Sequence, residues 1–394
     1  MQSQHGKKLR NLQILLHIGF FISGITTILI GQLLPILASR FSLNDLQLSY
    51  FFPAQFAGSI TGGFLFSWFG KRNNLLASSL IGCFLMGIGI LTLNVSSFGL
   101  CLLGFYCNGI GVGMTLPSIN VLTLELNPHR PTSAVNILNF VWGLGAILCS
   151  QFYNLFKSVG YFPVSVGLAF SLLLISFLLL FTPKGIEQKP VAEDENENDF
   201  STPIWTNPIA WVIAGFNFIH VGFETGMGGW LPTYTERLEG QGYVWWLAPI
   251  FLFWLFFVGG RGVAPIFLRF LNENQLLFTG LLIILAGMGV LLFAADVLTL
   301  GIGAGIAGFG TSSIFPTNLS RFTKTFGPSA SRRAMPFFIC GTLGATFTTQ
   351  IIGWTSNHFN SLHSGMFILL GSGVVLIFLQ IFLQFQNKPQ TILE

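Results

Sequence analysis

The sequence predicts an all-α membrane protein of twelve transmembrane helices arranged as two pseudo-symmetric six-helix bundles, and three observations carry that prediction. Hydrophobic residues make up 52% of the 394 residues and charged residues 8%, with mean hydropathy +0.70, far from the composition of a soluble domain. Apolar stretches near or above the roughly 20 residues that a tilted helix needs to cross a bilayer recur along the whole chain. A single long polar interval, with the acidic run Glu193 to Asp199, separates them six and six. The expected organisation is an N-terminal bundle over 1–182, a solvated cytoplasmic linker over 183–204 and a C-terminal bundle over 205–394.

Taken in order, the expected spans are 12–38, 46–69, 75–94, 98–124, 132–156, 161–181, 205–235, 243–268, 275–293, 298–322, 333–356 and 363–385. The first is too long for a signal-peptide core and is read as a retained span. Lys7, Lys8, Arg10, Lys71, Arg72, Arg130, Lys184, Lys189, Arg269, Arg321, Lys324, Arg332, Arg333 and Lys388 fall on one side of this topology, against Arg40, Lys157 and Arg237 on the other. The positive-inside rule therefore places both termini in the cytoplasm and Trp230, Trp245 and Trp246 near the outer interface. A bacterial inner membrane is expected from the short loops, while the Asn94-Val-Ser96 sequon leaves a eukaryotic membrane open. The net charge of +4 follows membrane topology and does not suggest nucleic acid. Cys83, Cys101, Cys107, Cys149 and Cys340 lie in apolar segments without metal-ligand or disulfide spacing, so no metal or cofactor is expected beyond a coupling ion.

The two halves share an internal repeat. Gly109 to Ala146 slides without a gap onto Gly308 to Ala345, pairing Gly109 with Gly308, Gly111 with Gly310, Pro117 with Pro316 and Leu144-Gly145-Ala146 with Leu343-Gly344-Ala345. Pro117 and Pro316 lack an amide donor and permit bending, so they read either as hinges or as static kinks.

Chemistry concentrates in Gly215 to Tyr234, where Glu224 interrupts an apolar segment. A carboxylate at membrane depth costs several kcal/mol unless it faces water, finds a partner or takes up a proton. Asn217, His220 and Glu224 share one helical face. Glu224 is expected to take up a proton or help hold Na⁺, with His220 tuning its charge; the plainer alternative is a structural His220–Glu224 pair. Asn136, Asn139 and Gly143 recur at i, i+3 and i+7, and Asn120 lies in the preceding span. Amides offer both donor and acceptor to hydroxyl groups, and Trp142 offers an apolar platform. These residues are candidate ligand contacts together with Asn217, Thr346 and Gln350, the alternative being interhelical hydrogen bonding.

Gly63-Phe-Leu-Phe-Ser67-Trp68-Phe-Gly70-Lys71-Arg72 resembles the G-x-L-x-D-R-x-G-R-R signature of the major facilitator superfamily, with Ser67 and Trp68 at the acidic and first basic positions. Gly259-Gly260-Arg261 resembles its degraded second copy. In that signature the charged residues form a cytoplasmic latch, so the resemblance implies a gate at Gly63, Gly70, Lys71, Arg72 and Arg261; Glu125 with Arg130 is read as part of it. Gly109-x-Gly111-x-Gly113 leading to Asn120, followed by Asn136, Asn139, Gly145 and Ala146, is similar to spans 4 and 5 of the fucose–proton symporters and their sodium-dependent glucose-transporter-like relatives. Val221-Gly-Phe-Glu224 resembles their span 7. Leu116 stands where those symporters usually carry a glutamate, and the first span has no acid, so their proton site does not carry over.

The resemblance implies a secondary active transporter that works by alternating access, moving a small hydroxylated solute such as a sugar with H⁺ or Na⁺. An efflux carrier for amphipathic compounds or lipids, and a transport-inactive sensor or scaffold, are the alternatives. No nucleophile, base and orienting group occur together, which argues against an enzyme. The expected partners are the solute and membrane lipid, with the chain acting as a monomer.

Overall fold

The computed structural model describes residues 2–127, 131–182, 204–239, 248–327, 330 and 333–386. The acidic linker, Arg130, Trp245 and Trp246 thus lie outside the described residues. Among the described residues fourteen α-helices run in order: α1 (Gln2–Phe41), α2 (Asp45–Ser49), α3 (Phe51–Gly70), α4 (Leu75–Leu91), α5 (Phe98–Leu126), α6 (Pro131–Val159), α7 (Tyr161–Leu180), α8 (Pro208–Glu239), α9 (Pro249–Phe267), α10 (Glu273–Leu292), α11 (Val297–Thr311), α12 (Ile314–Phe326), α13 (Met335–Phe359) and α14 (Leu362–Gln386). With the five-residue α2 set aside and α11 and α12 counted as one broken span, twelve crossing helices remain. Ten of these have an apolar window long enough to cross a membrane. The other two, α3 and α8, match them in length but are diluted by small and polar residues.

The chain packs as two units. Unit 1 holds Met1–Leu43 and Tyr50–Asp194, and unit 2 holds Asn44–Ser49 and Glu195–Glu394. The core of unit 1 gathers Leu12, Leu16 and Phe20 of α1 with Cys83, Ile119, Leu122, Leu138 and Ile175. Unit 2 is built on aromatic rings: Phe253, Trp254 and Phe257 pack edge-to-face or stacked on α9, while Trp205 stacks on Phe322 with centroids 5.5 Å apart.

The repeat seen in sequence recurs as packing. A methyl group at Gly145 of α6 would lie 2.2 Å from the Phe21 carbonyl oxygen of α1, and one at Gly344 of α13 would lie 1.8 Å from the Phe218 carbonyl oxygen of α8. Each pair of helices approaches backbone to backbone, which a side chain would forbid. Gly109 meets Gln55 of α3 and Gly308 meets Phe253 of α9 in the same manner.

The two prolines differ. α5 runs unbroken through Pro117, whereas the equivalent span is interrupted at Ser312 and Ser313 between α11 and α12. Pro316, the third residue of α12, has no N–H to offer the Ser312 carbonyl four residues before it, so no hydrogen bond from this position carries the helix across the break.

At one end of unit 1, Arg40 donates to the carbonyls of Leu93, Asn94 and Val95, in and just after the short 3-10 turn that follows α4. The Asn94 amide is also engaged, its Nδ2 donating to Leu91 O at 3.2 Å and its Oδ1 accepting from Ser165 at 2.9 Å. At the opposite end, the Arg72 guanidinium lies 3.6 Å from the ring centre of Trp68. Trp230, expected near the outer interface, is 0% exposed and donates to Thr349 O at 3.2 Å, with Gly226 and Gly228 of the same helix close to Leu369 and Trp254.

Candidate functional site

The site in unit 2 begins with Glu224, midway along α8. Its side chain is half-buried, and among the described residues no hydrogen bond or ion pair within 4 Å holds it. The charge that acts on it is Arg261 of α9. Arg261 donates from Nε to the Ser312 carbonyl at 3.2 Å, and its guanidinium lies 4.1 Å from the ring centre of Phe257. Ser312 is four residues before Pro316, so its carbonyl is the one that the missing proline N–H leaves free. The proline thus supplies an acceptor at membrane depth, and the arginine occupies it.

His220, one turn before Glu224, is 1% exposed. Its Nε2 lies 3.4 Å from the Thr311 hydroxyl at the end of α11, while Nδ1 has no hydrogen-bond partner. Thr311 and Ser312 are neighbours, so the end of α11 touches both His220 and Arg261. His220 and Arg261 therefore meet at the broken span, the kind of discontinuity at which carriers place ion and substrate groups, with Glu224 one helical turn from His220 and under the charge of Arg261.

Several expected ligand contacts prove to be engaged in packing. Asn217 is 1% exposed and donates to Phe337 O of α13 at 2.9 Å, leaving its Oδ1 without a partner. Gln350 donates to Ser49 O at 3.1 Å, and Thr346 returns its hydroxyl to Thr342 O of its own helix. In unit 1, Trp142 is partly buried and packs against the core cluster that α1 helps to form. Asn120 donates to Leu116 O and Asn139 to Val135 O, each at 2.9 Å on its own helix. Asn136 and Asn139 are nonetheless exposed on α6 and retain free amide capacity.

The expected gate residues divide between the units. Gly63, Gly70, Lys71 and Arg72 fall at the end of α3 and its following turn, with nothing near Gly63. Glu125 has a buried carboxylate oxygen without a hydrogen-bond partner near the end of α5. Arg261 lies in α9 of unit 2, where its charge acts on Glu224 and its Nε donates to Ser312 O. Sequence reasoning missed that role because the glycines before Arg261 directed attention to a loop motif. The proline four residues after Ser312 was the available signal.

With this geometry in place, the chain belongs to the major facilitator superfamily, whose family model matches residues 16–349. It is thus a multi-pass integral membrane protein of a transporter family, not an enzyme. Among relatives, the mouse sodium-dependent glucose transporter 1A is 23% identical over 91% of this chain and 93% of its own length. A yeast relative, bypass of stop codon protein 6, is 23% identical over 57% of this chain, which spans only 50% of that protein. Three solved structures share the fold. The D-xylose–proton symporter has TM-score 0.74 at 17% identity, covering 94% of this chain and 96% of its own. The nucleoside transporter NupG has TM-score 0.77 at 13% identity, covering 97% and 100%. The Escherichia coli fucose–proton symporter has TM-score 0.58 at 18% identity, also covering 97% and 100%.

Proposed function

We propose that this protein carries a small hydroxylated solute, a sugar or sugar derivative, across the membrane by alternating access, coupled to H⁺ or Na⁺ at Glu224. The observation that carries this reading is a half-buried carboxylate midway along a crossing helix, free of any close partner among the described residues yet within the field of Arg261. Arg261 is the resident counter-charge while the site is empty. A proton or Na⁺ arriving at Glu224 takes over that role, and the neutralised group is cheaper to enclose in a dry state. His220 sets the polarity of the same face through its uncommitted Nδ1. Asn136 and Asn139 supply amides suited to solute hydroxyls, with Asn120 close by in sequence.

Both cations are kept because the names of the relatives and fold neighbours include a sodium-dependent glucose transporter and proton symporters for xylose and fucose. In this reading the chain works as a monomer in a bacterial inner membrane with both termini in the cytoplasm.

The test is thermal stabilisation of purified protein by a panel of hexoses, deoxyhexoses, nucleosides and amphipathic compounds, at two pH values and with or without Na⁺. A ligand that binds the folded state raises the melting temperature whatever the direction of transport. The expected result is a stereospecific hit among the hydroxylated compounds whose pH or Na⁺ dependence disappears in Glu224→Gln. Stabilisation by amphipathic compounds alone, unchanged in Glu224→Gln, overturns the reading in favour of an efflux carrier.

A further inference from the structure

Residues 44–49 connect α1 to α3, both in unit 1, yet they pack as part of unit 2. The contact is built from charged and polar groups. Asp45, 7% exposed, accepts from both Nη1 and Nη2 of Arg237 on α8, at 2.7 and 2.5 Å, and from the Ser356 hydroxyl of α13. Such two-pronged pairing fixes orientation as well as charge. Gln350 donates to Ser49 O at 3.1 Å, and Leu48 and Ser49 are each 0% exposed. The helix α2 rests on Gly353, where an added methyl group would come within 2.6 Å of Ser49 Cβ and 2.7 Å of Asp45 O.

The segment also holds its own shape. Asn44 and Gln47 cap one another reciprocally, side chain to backbone, at 3.0 and 2.9 Å. The entry to it bends at Ser42, whose φ of 52° lies in the left-handed region that non-glycine residues seldom adopt. A self-capped turn, a bend at its entry and a polar clamp at Asp45 with one further hydrogen bond at Ser49 describe a piece that can move as a body.

We propose that residues 44–49 are a strap that docks on α8 and α13 through Asp45, Arg237 and Ser356 and releases as a unit. Both ends of the strap continue along the chain into α1 and α3, so docking and release act on the connection between those two helices. Loss of Arg237 leaves a buried carboxylate without its counter-charge, which drives the strap off.

The test needs no transported solute. Ser49→Cys places a thiol under the docked strap, and its labelling by a membrane-impermeant maleimide is followed in solubilised protein, with Cys83, 0% exposed in the core of unit 1, as internal control. Labelling of Ser49→Cys is expected to be slow alone and about tenfold faster with either Arg237→Gln or Gly353→Leu, while Cys83 stays protected, as local release requires. Gly353→Leu obstructs docking without altering the clamp, so the two variants are independent. The proposal is overturned if Ser49→Cys already labels fast alone, if either variant leaves its rate unchanged, or if Cys83 becomes reactive in step with it.

Discussion

α1 packs on α6 as α8 packs on α13, with Gly145 against Phe21 O in one unit and Gly344 against Phe218 O in the other, yet the two contacts carry different chemistry. When the phenylalanines are matched, Ser23 and Thr27 of α1 stand where His220 and Glu224 stand in α8. The Ser23 hydroxyl donates to Gly19 O at 2.8 Å, with Met86 Sδ of α4 a weaker second acceptor at 4.0 Å, and Thr27 donates to Ser23 O at 2.7 Å. Matching the Gln55 and Phe253 contacts likewise puts Gly63 of α3 where Arg261 stands in α9. Unit 1 thus keeps the packing and lacks both charges. Duplication preserved the scaffold, and the ionisable machinery persists in one copy.

The comparison can be broken at its packing first. Gly145→Val and Gly344→Val each force a side chain into backbone, and overpacking of this kind costs about 1–3 kcal/mol or more. Both variants are expected to lower the melting temperature in detergent by similar amounts; a large drop in only one would show that the two contacts are not equivalent. Next comes the charge. Glu224→Gln is expected to reduce solute accumulation in proteoliposomes to the equilibrium level while counterflow persists, whereas Thr27→Val at the matched position leaves accumulation intact.

A smaller effect separates the prolines. Pro316→Ala restores an N–H that competes for Ser312 O, and losing a hydrogen bond to a charged group costs roughly 1.5 kcal/mol, or about tenfold. A decline of that order in the ion-dependent initial rate is expected for Pro316→Ala, with Pro117→Ala unchanged, since among the described residues no side chain donates to the carbonyl four residues before Pro117.

The smallest effect lies at the helix starts. Asp296 caps α11 by accepting from the Thr299 amide at 2.9 Å and its hydroxyl at 2.7 Å, whereas Ser97 at the matched start of α5 makes no side-chain cap. Those hydrogen bonds hold the Asp296 carboxyl below the usual aspartate range. A lowered value in the folded protein means that the stabilisation is present at neutral pH and is lost as pH falls through that lowered value. Asp296→Ala is therefore expected to lower the melting temperature slightly at pH 7 and less at acid pH, and Ser97→Ala not at all.

Much of this was legible beforehand. Hydrophobic length marks a crossing helix whatever its neighbours do, so the spans stood out even where α8 is diluted by Asn217, His220 and Glu224. The ungapped glycine repeat marked the paired contacts because close backbone approach excludes other residues. Glu224 was visible through its cost. Its relation to Arg261 was hidden, since the two sit on different helices and Arg261 is held by the Ser312 carbonyl in the break between α11 and α12, far along the sequence. Asn217 and Gln350 were read by chemical type, and type alone does not say whether an amide turns to a ligand or to a neighbouring backbone. Asp45 looked like any loop acid because nothing near it announces Arg237.

The engaged amide of Asn94 bears on how the chain matures in a cell that attaches glycans. Oligosaccharyltransferase needs that nitrogen as its nucleophile, yet in the folded chain the nitrogen is donating to Leu91 O and the oxygen beside it is held by Ser165 of α7. Modification would therefore have to win a race against the arrival of α7, and every chain that folds first leaves with a bare sequon.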